Sequence, residues 1–476
     1  MLYTLVQKNL LTVKSMQRQR EHWGSQLGFI LAAAGSAIGL GTLWKFPYVT
    51  GQNGGGLFVF IYVFCTFFVA VPLFMAELML GRRAQKGAVG TFGVLSNESV
   101  AWKTAGWMGA MASFLIMTYY SVLAGWGLNY IFMSLSQFYV GKSSNDIIEI
   151  FNLLQTSPDI TLFWQWAFIG LTIGLVYPGI RQGIEYWSKF MTSALFVILV
   201  GLCIYTLTLE GFSDAIHFLF SFSTERFKPS GMLEALGLSF FTMSLGQGIM
   251  ITYGSYLRRE DDIPKTGLIV GSTIILVAAL AATTIFAVLF TFDQPPESGP
   301  GLVFKALPLL FSRLPGSLFF SVAFFTLFVF TALTSAMPLV EVVAANFMDL
   351  LGWSRKKAVL LVGLACLLFG IPCALSWSGL LFANWEAIYG KNYFATVDEL
   401  VAVWIIPLTG LMTALFTGWR LDKEMLKEEF QTGSIFGCLW TVWFFFIRYL
   451  VPVAIFLILL QMAGMVNIDQ WTGVLK

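Results

Sequence analysis

Eleven stretches of this chain are each long and apolar enough to cross a lipid bilayer as a helix, and that fact constrains the fold more than any motif. They run approximately over residues 27–49, 55–80, 107–137, 161–178, 190–209, 232–257, 267–291, 317–348, 357–376, 397–418 and 436–463. A hydrocarbon layer about 30 Å thick takes about 20 helical residues to cross. Only 11% of the residues are charged against 57% hydrophobic, so no soluble core accounts for the runs. They are continuous and rich in Leu, Phe and Ala rather than short and alternating, which predicts helices that satisfy their own backbone, not a barrel. The expected fold is an all-α polytopic membrane protein.

Lys and Arg between the spans set the orientation, because cytoplasmic loops carry their excess. Lys14, Arg18 and Arg20 precede span 1. Arg82, Arg83, Lys86 and Lys103, then Arg181 and Lys189, Arg258, Arg259 and Lys265, Arg355, Lys356 and Lys357, and Arg420, Lys423 and Lys427 fall in loops on the same side. The N-terminus is expected in the cytoplasm and, after eleven spans, the C-terminus outside, in the cell's inner membrane. A net charge of +2 carries no block of like charge that suggests nucleic acid, and no phosphate-cradling loop is present. Cys65, Cys203, Cys366, Cys373 and Cys438 are scattered in the spans without a CxxC pair, as packing residues would be. Residues 1–19 have too short an apolar core for a signal peptide and read as cytoplasmic tail, or as an upstream extension if translation starts at Met16.

Two spans are interrupted where a helix should be continuous. Span 1 contains Gly35, Gly39 and Gly41 within "GSAIGLGTLWKFPYVTGQNGGG"; span 6, five spans later, contains "FFTMSLGQG", Phe240 to Gly248. Glycine costs a helix interior about 1 kcal/mol relative to alanine. Matching glycine-interrupted spans in two halves point to a transporter of inverted repeats with its site at the breaks. A small-residue packing face would explain Gly35 and Gly39 alone; the hydroxyls of Thr242 and Ser244 beside the second break favour a site. The expected organisation is a tail over 1–22, a core over 23–420 with repeats at about 23–210 and 230–420, and span 11 with a short tail over 421–476. The loop at 292–316 opens with "FDQPPESGPG" and resumes amphipathically, as a lid would.

"REHWGSQLGFILAAAGSAIGLGTLWKFPY", the following "NGGG", "FFTMSLGQG", "ITYGSYLRR", "LTSAMPLVEVV" and "RYLVP" stand in one order over residues 20–460. On these motifs the chain resembles the neurotransmitter:sodium symporter family, whose bacterial amino-acid transporters have the LeuT fold, many with eleven spans. The resemblance implies that a substrate carboxylate meets N–H groups near Leu40 and Gly41 and the hydroxyl of Tyr120. The ammonium would meet carbonyls around Ala37, Phe241, Thr242 and Ser244. Ile116, Phe241, Gln247, Ser335 and Leu339 would line the side-chain pocket. Amine-carrying relatives place an aspartate where this chain has Gly39, so a substrate bringing its own carboxylate is expected: a neutral, hydrophobic or aromatic amino acid.

The resemblance also implies Na+ as coupling ion, which takes hard oxygen ligands. The second sodium site maps to carbonyls of Gly35, Ile38 and Thr331 with hydroxyls of Thr334 and Ser335. The first maps to Ala37, Thr42 and Thr242 and matches poorly, since Thr42 replaces an asparagine. Span 7 has no Asn, Gln, Asp or Glu, and Leu238 stands where chloride-binding relatives have a glutamine. One Na+ and no chloride are expected. The outer gate would be Lys45 facing Asp398, or Glu399; the inner gate would be Arg20 with Asp349, covered by Trp23 and Tyr256. Glu341 and Arg448, ionisable inside spans, are functional candidates, whereas Glu77 reads as structural. Proton coupling through Glu341 and a transporter-shaped sensor are the alternatives. A channel lacks a charged ring or filter here, and with His22 and His217 the only histidines, no catalytic base can be paired with a nucleophile on the spans.

Overall fold

The computed structural model describes residues 20–222, 227–294 and 301–466. Residues 1–19 of the expected tail, the "PPESGP" part of the expected lid and the chain end from 467 lie outside them. Nine helices among the described residues are long and apolar enough to cross a membrane: Gly56–Ala84, Val100–Leu135, Pro158–Val176, Ile180–Thr206, Ile263–Thr291, Ser317–Leu351, Arg355–Ala374, Tyr393–Arg420 and Gly437–Met462. These are spans 2 to 5 and 7 to 11. Span 1 is a pair, Gln26–Ala37 and Gly41–Gln52, bent by 52°. Span 6 is two short helices, Gly231–Thr242 and Ile249–Gly254.

The charged ends are where the helices outrun the hydropathy. Span 5 starts at Ile180 rather than 190, and span 3 at Val100 rather than 107. Both extensions carry charges that a hydropathy reading assigns to loops, and both charges are used. Buried Glu185 accepts hydrogen bonds from Gly24 N (2.6 Å), Ser25 Oγ (3.1 Å) and Lys189 Nζ (2.7 Å), pinning the start of span 1 to span 5. Lys103 pairs with Glu98.

The break in span 1 is narrower than expected. Gly35 stays inside the first half-helix, which ends at Ala37; Ile38 and Gly39 form the interruption, and Gly41 opens the second half in a wide, π-helical turn. Gly35 is glycine because its neighbours leave no room: a Cβ would collide with the Thr192 hydroxyl and lie 3.2 Å from Thr334 Cβ. In span 6 the break covers residues 243–248, with Ser244, Gly246 and Gly248 at φ of 55°, 67° and 71°. A left-handed serine costs roughly 1 kcal/mol or more, so its surroundings must hold it there. Gly54 and Gly55, also at positive φ, turn the chain into span 2.

Spans 3 and 8 pack along each other through the centre of the molecule, with the broken spans against them. Span 2 meets the second half of span 6 at Gly81 and Gly254, where a Cβ on either would strike the other helix's backbone. Between spans 7 and 8, the wide turn Leu302–Ala306 and the helix Leu307–Phe311 fold inward. Phe304 is buried against Trp126, Phe151 and Phe328, and its carbonyl accepts from Tyr130 Oη at 2.8 Å.

Candidate functional site

The two breaks face each other across the carbonyl of Ser36. Ser335 Oγ from span 8 donates to it at 3.0 Å, and Ser244 Oγ from the left-handed position of span 6 donates at 3.0 Å as well. The hydroxyls of Ser36 and Ser244 lie 3.2 Å apart. This is the physical reason for the strained serine: its hydroxyl joins the two breaks.

Next to that junction the expected substrate groups converge. Leu40 N points at Tyr120 Oη, 3.5 Å away. A Cβ built on Gly39 would lie 3.1 Å from Ser335 Oγ and 3.9 Å from Tyr120 Oη. Gly41 rests against the Phe241 ring, where a Cβ would be 2.8 Å from the ring edge and 3.6 Å from Thr242 Cγ2. Ile116 and Leu339 are buried apolar positions on spans 3 and 8. Gln247 is buried too; its carbonyl accepts from Ser113 Oγ at 2.7 Å, which ties the lower edge of the break to span 3. A neutral hydroxyl, a long-bonded peptide N–H and a helix start suit a carboxylate, whereas no acidic side chain belongs to the first break.

Of the residues mapped to the second sodium site, Gly35 and Thr334 touch, a Cβ on Gly35 lying 3.2 Å from Thr334 Cβ. Thr334 Oγ1 donates to the carbonyls of Phe330 and Thr331, both at 3.0 Å, while Thr331 Oγ1 donates to Leu327 O at 2.8 Å. Of the span 8 hydroxyls, Ser335 reaches across to span 1; Thr331 and Thr334 bond their own helix, the common habit of membrane threonines. At the first site, Thr42 Oγ1 sits 3.5 Å from Ala37 O, and Thr242 Oγ1 pairs with Tyr62 Oη at 2.8 Å.

The face that carries the N-terminal residues is latched. Arg20 Nη1 meets both Asp349 oxygens at 2.9 and 2.8 Å, its Nε donates to Ser255 Oγ at 3.0 Å, and its guanidinium lies 4.7 Å over Tyr256. Trp23 Nε1 donates to Tyr253 O at 3.1 Å. Glu341 belongs to this latch. Arg355 grips it at 2.7 and 3.0 Å and Tyr256 Oη donates to it at 2.5 Å. Glu341 is thus held by three donors from span 9 and from the end of span 6, as part of the closed face.

The opposite gate differs from the sequence reading. The Lys45 ammonium lies 5.2 Å over Phe241, and the ion pairs among the described residues do not join it to Asp398. Glu399, the alternative partner, pairs with Lys391, and Asp398 lies beside the Tyr119 hydroxyl. Lys45 therefore faces the pocket rather than span 10.

Glu77, read from the sequence as structural, is bonded to the backbone of the second break. It is fully buried, and Oε1 accepts from Gly246 N at 2.8 Å inside the span 6 break, while Oε2 has no partner. Its place within an apolar span was the available signal, since an ionisable group there is functional by default. Ser36 and Tyr62 offered no such signal. A serine beside a glycine in a small-residue run, and a tyrosine in an aromatic run, look like packing until the partner helix is known.

Comparison with known proteins agrees with this architecture. The family model described as the sodium:neurotransmitter symporter family matches residues 20–147 and 144–472. An uncharacterized sodium-dependent transporter of Bacillus subtilis is 37% identical over 94% of this chain and 98% of its own. The sodium-dependent serotonin transporter of Drosophila melanogaster is 26% identical over 94% of this chain and 78% of its own. The crystal structure of MhsT in complex with L-phenylalanine superimposes with a TM-score of 0.85 at 38% identity, covering 93% of this chain and 100% of that one. With two broken spans five apart and a match over nearly its whole length, the chain belongs to the sodium:neurotransmitter symporter family, as a sodium-dependent multi-pass symporter of the LeuT fold.

Proposed function

We propose that the protein imports a neutral, hydrophobic or aromatic amino acid, driven by one Na+ at the second site and independent of chloride. The observation that carries this reading is Gly39. Its α-carbon faces Ser335 and Tyr120 at the place where amine carriers have an aspartate, so the charge that offsets a substrate ammonium comes with the substrate. The carboxylate would lie between Leu40 N, Gly41 N and the Tyr120 hydroxyl, and the ammonium against carbonyls around Ala37, Phe241, Thr242 and Ser244. The Phe241 ring and the Ile116 and Leu339 side chains would receive an apolar side chain. That MhsT is solved with L-phenylalanine supports an aromatic or large aliphatic substrate.

For the ion, the carbonyls of Gly35, Ile38 and Thr331 with the hydroxyls of Thr334 and Ser335 form an uncharged oxygen set suited to a monovalent hard cation. The Thr42 position and a span 7 without carboxylate or amide argue against a second Na+, because an extra buried cation needs a compensating anion. In transport, Lys45 would turn from Phe241 to Asp398 as the outer side closes, and the Arg20–Asp349 latch would release as the inner side opens. The N-terminus would then be cytoplasmic and the C-terminus outside, with repeats over about 23–210 and 230–420.

Reconstituted in proteoliposomes, the protein should take up a hydrophobic or aromatic amino acid only with an inward Na+ gradient, with a ²²Na+ to substrate ratio near one and no loss when gluconate replaces chloride. A ratio near two, or uptake driven by a pH gradient without Na+, refutes the coupling; binding of amines in preference to amino acids refutes the substrate class.

A further inference from the structure

Gln247 stands in the span 6 break between Gly246 and Gly248, both at positive φ, and its main chain is fixed from both sides. Ahead of it Gly246 N donates to Glu77 Oε1 at 2.8 Å, and its own carbonyl accepts from Ser113 Oγ at 2.7 Å. The side chain is not tied in this way. Its amide makes no hydrogen bond among the described residues, yet it is not walled in like the closed-off amide oxygen of Gln165. At the centre of the molecule Gln247 keeps 4% exposure, beside Ser335 with 8% and Tyr120 and Ser244 with 5% each, whereas Ser113 and Thr42 have none. Ser335 and Tyr120 flank Gly39, and Ser244 joins the two breaks, so the amide opens into the same space.

Span 3 gives the order of the parts. Ser113, Ile116 and Tyr120 fall on one face of the helix Val100–Leu135, so the Gln247 carbonyl, held by Ser113, lies about 10 Å along that helix from Tyr120, with Ile116 between. In the reading proposed above the substrate carboxylate lies at the Tyr120 end, and Ile116, Leu339 and the Phe241 ring are the apolar walls. Gln247 then stands at the far end with two N–H donors and a carbonyl acceptor. A purely hydrocarbon side chain would bury that amide unpaired, and a site built around a hydrogen-bonding group rejects the analogue lacking it far more strongly than an apolar pocket rejects a methylene. Resting on that reading, we propose that Gln247 makes the site selective for an aromatic amino acid with a hydrogen-bonding group at the far end of its ring, tyrosine ahead of phenylalanine. The phenol hydroxyl donates to Oε1 or accepts from Nε2, whereas an indole carries its N–H on the flank of the ring system and only donates.

Isothermal titration calorimetry of the purified full chain in saturating Na+, with L-tyrosine, L-phenylalanine, L-tryptophan, L-leucine and L-glutamine, tests this. Wild type should bind tyrosine about tenfold or more tighter than phenylalanine. Gln247→Leu, which removes the amide at similar size, should erase that ratio by weakening tyrosine while keeping phenylalanine. Phenylalanine binding shows that the variant is folded; if Gln247→Leu does not fold, Gln247→Met takes its place with the same expectation. Equal affinities for tyrosine and phenylalanine in wild type overturn the proposal, as does a tyrosine preference that survives loss of the amide. So does tryptophan, leucine or glutamine bound ahead of tyrosine. Failure of all five to bind refutes the amino-acid site and the proposal together, whereas phenylalanine bound as tightly as tyrosine leaves that site standing and removes only the role of Gln247.

Discussion

At Gly39 the choice between an amino-acid site and an amine site comes down to one side chain. The direction of its missing Cβ, toward Ser335 Oγ and Tyr120 Oη, means that Gly39→Asp would set a carboxylate against the substrate's own. Binding of the preferred amino acid should fall by at least tenfold, about 1.4 kcal/mol, while Gly39→Ala serves as the steric control; isothermal titration calorimetry measures both, and an unchanged Kd for the aspartate variant contradicts the site. Ser335→Ala removes the hydroxyl that bridges spans 8 and 1 through Ser36 O. Its cost of about 1 kcal/mol should appear as a raised Na+ concentration for half-maximal thermal stabilisation. At this scale the sequence was readable where a residue type is unusual for its setting, as with Gly39, Tyr120 and Thr42. It was silent at Ser36, because the group that matters there is a carbonyl that every residue has.

The broken helices show what an element needs beyond its own composition. Glycines announced both breaks, but their extent was set by partners: Gly35 remains helical under Thr192 and Thr334, and the span 6 break is held open by Glu77 and Ser244. Gly246 combines a φ of 67° with an Ile406 carbonyl in the place of a Cβ. Gly246→Ala should therefore destabilise the fold by more than about 1 kcal/mol, visible as a lower Tm in detergent; an unchanged Tm would mean that the break can re-form as helix. Tyr256→Phe loses a hydrogen bond to a charged partner, worth about 1.5–3 kcal/mol, and should loosen the Glu341–Arg355 latch without lowering substrate affinity at the pocket. Span ends were misjudged for one physical reason. Hydropathy treats every charge as solvent-facing, and Glu185 is buried among donors that only the folded chain supplies.

Over the whole molecule, one face is sealed and the other is not joined by its expected ion pair. Arg20–Asp349, with 14% exposure on each side chain, links the N-terminal residues to the end of span 8. Arg20→Ala should shift the population toward the state open on that face by roughly tenfold, if the lost pair contributes about 1.4 kcal/mol in excess there. Increased labelling of a cysteine introduced near Ser255 reports that shift, and unchanged labelling rules the latch out. Eleven apolar runs and two glycine breaks determined by themselves that this chain is a helical membrane protein with a split centre, because backbone satisfaction in hydrocarbon and the cost of glycine in a helix are local properties. Which oxygens meet across that centre, that Lys45 lies over Phe241, and that Glu341 is gripped by Arg355 were decided only by the tertiary structure. Each of these depends on which groups far apart in sequence are desolvated together, and a buried polar group takes whichever partner the packing brings within about 3 Å.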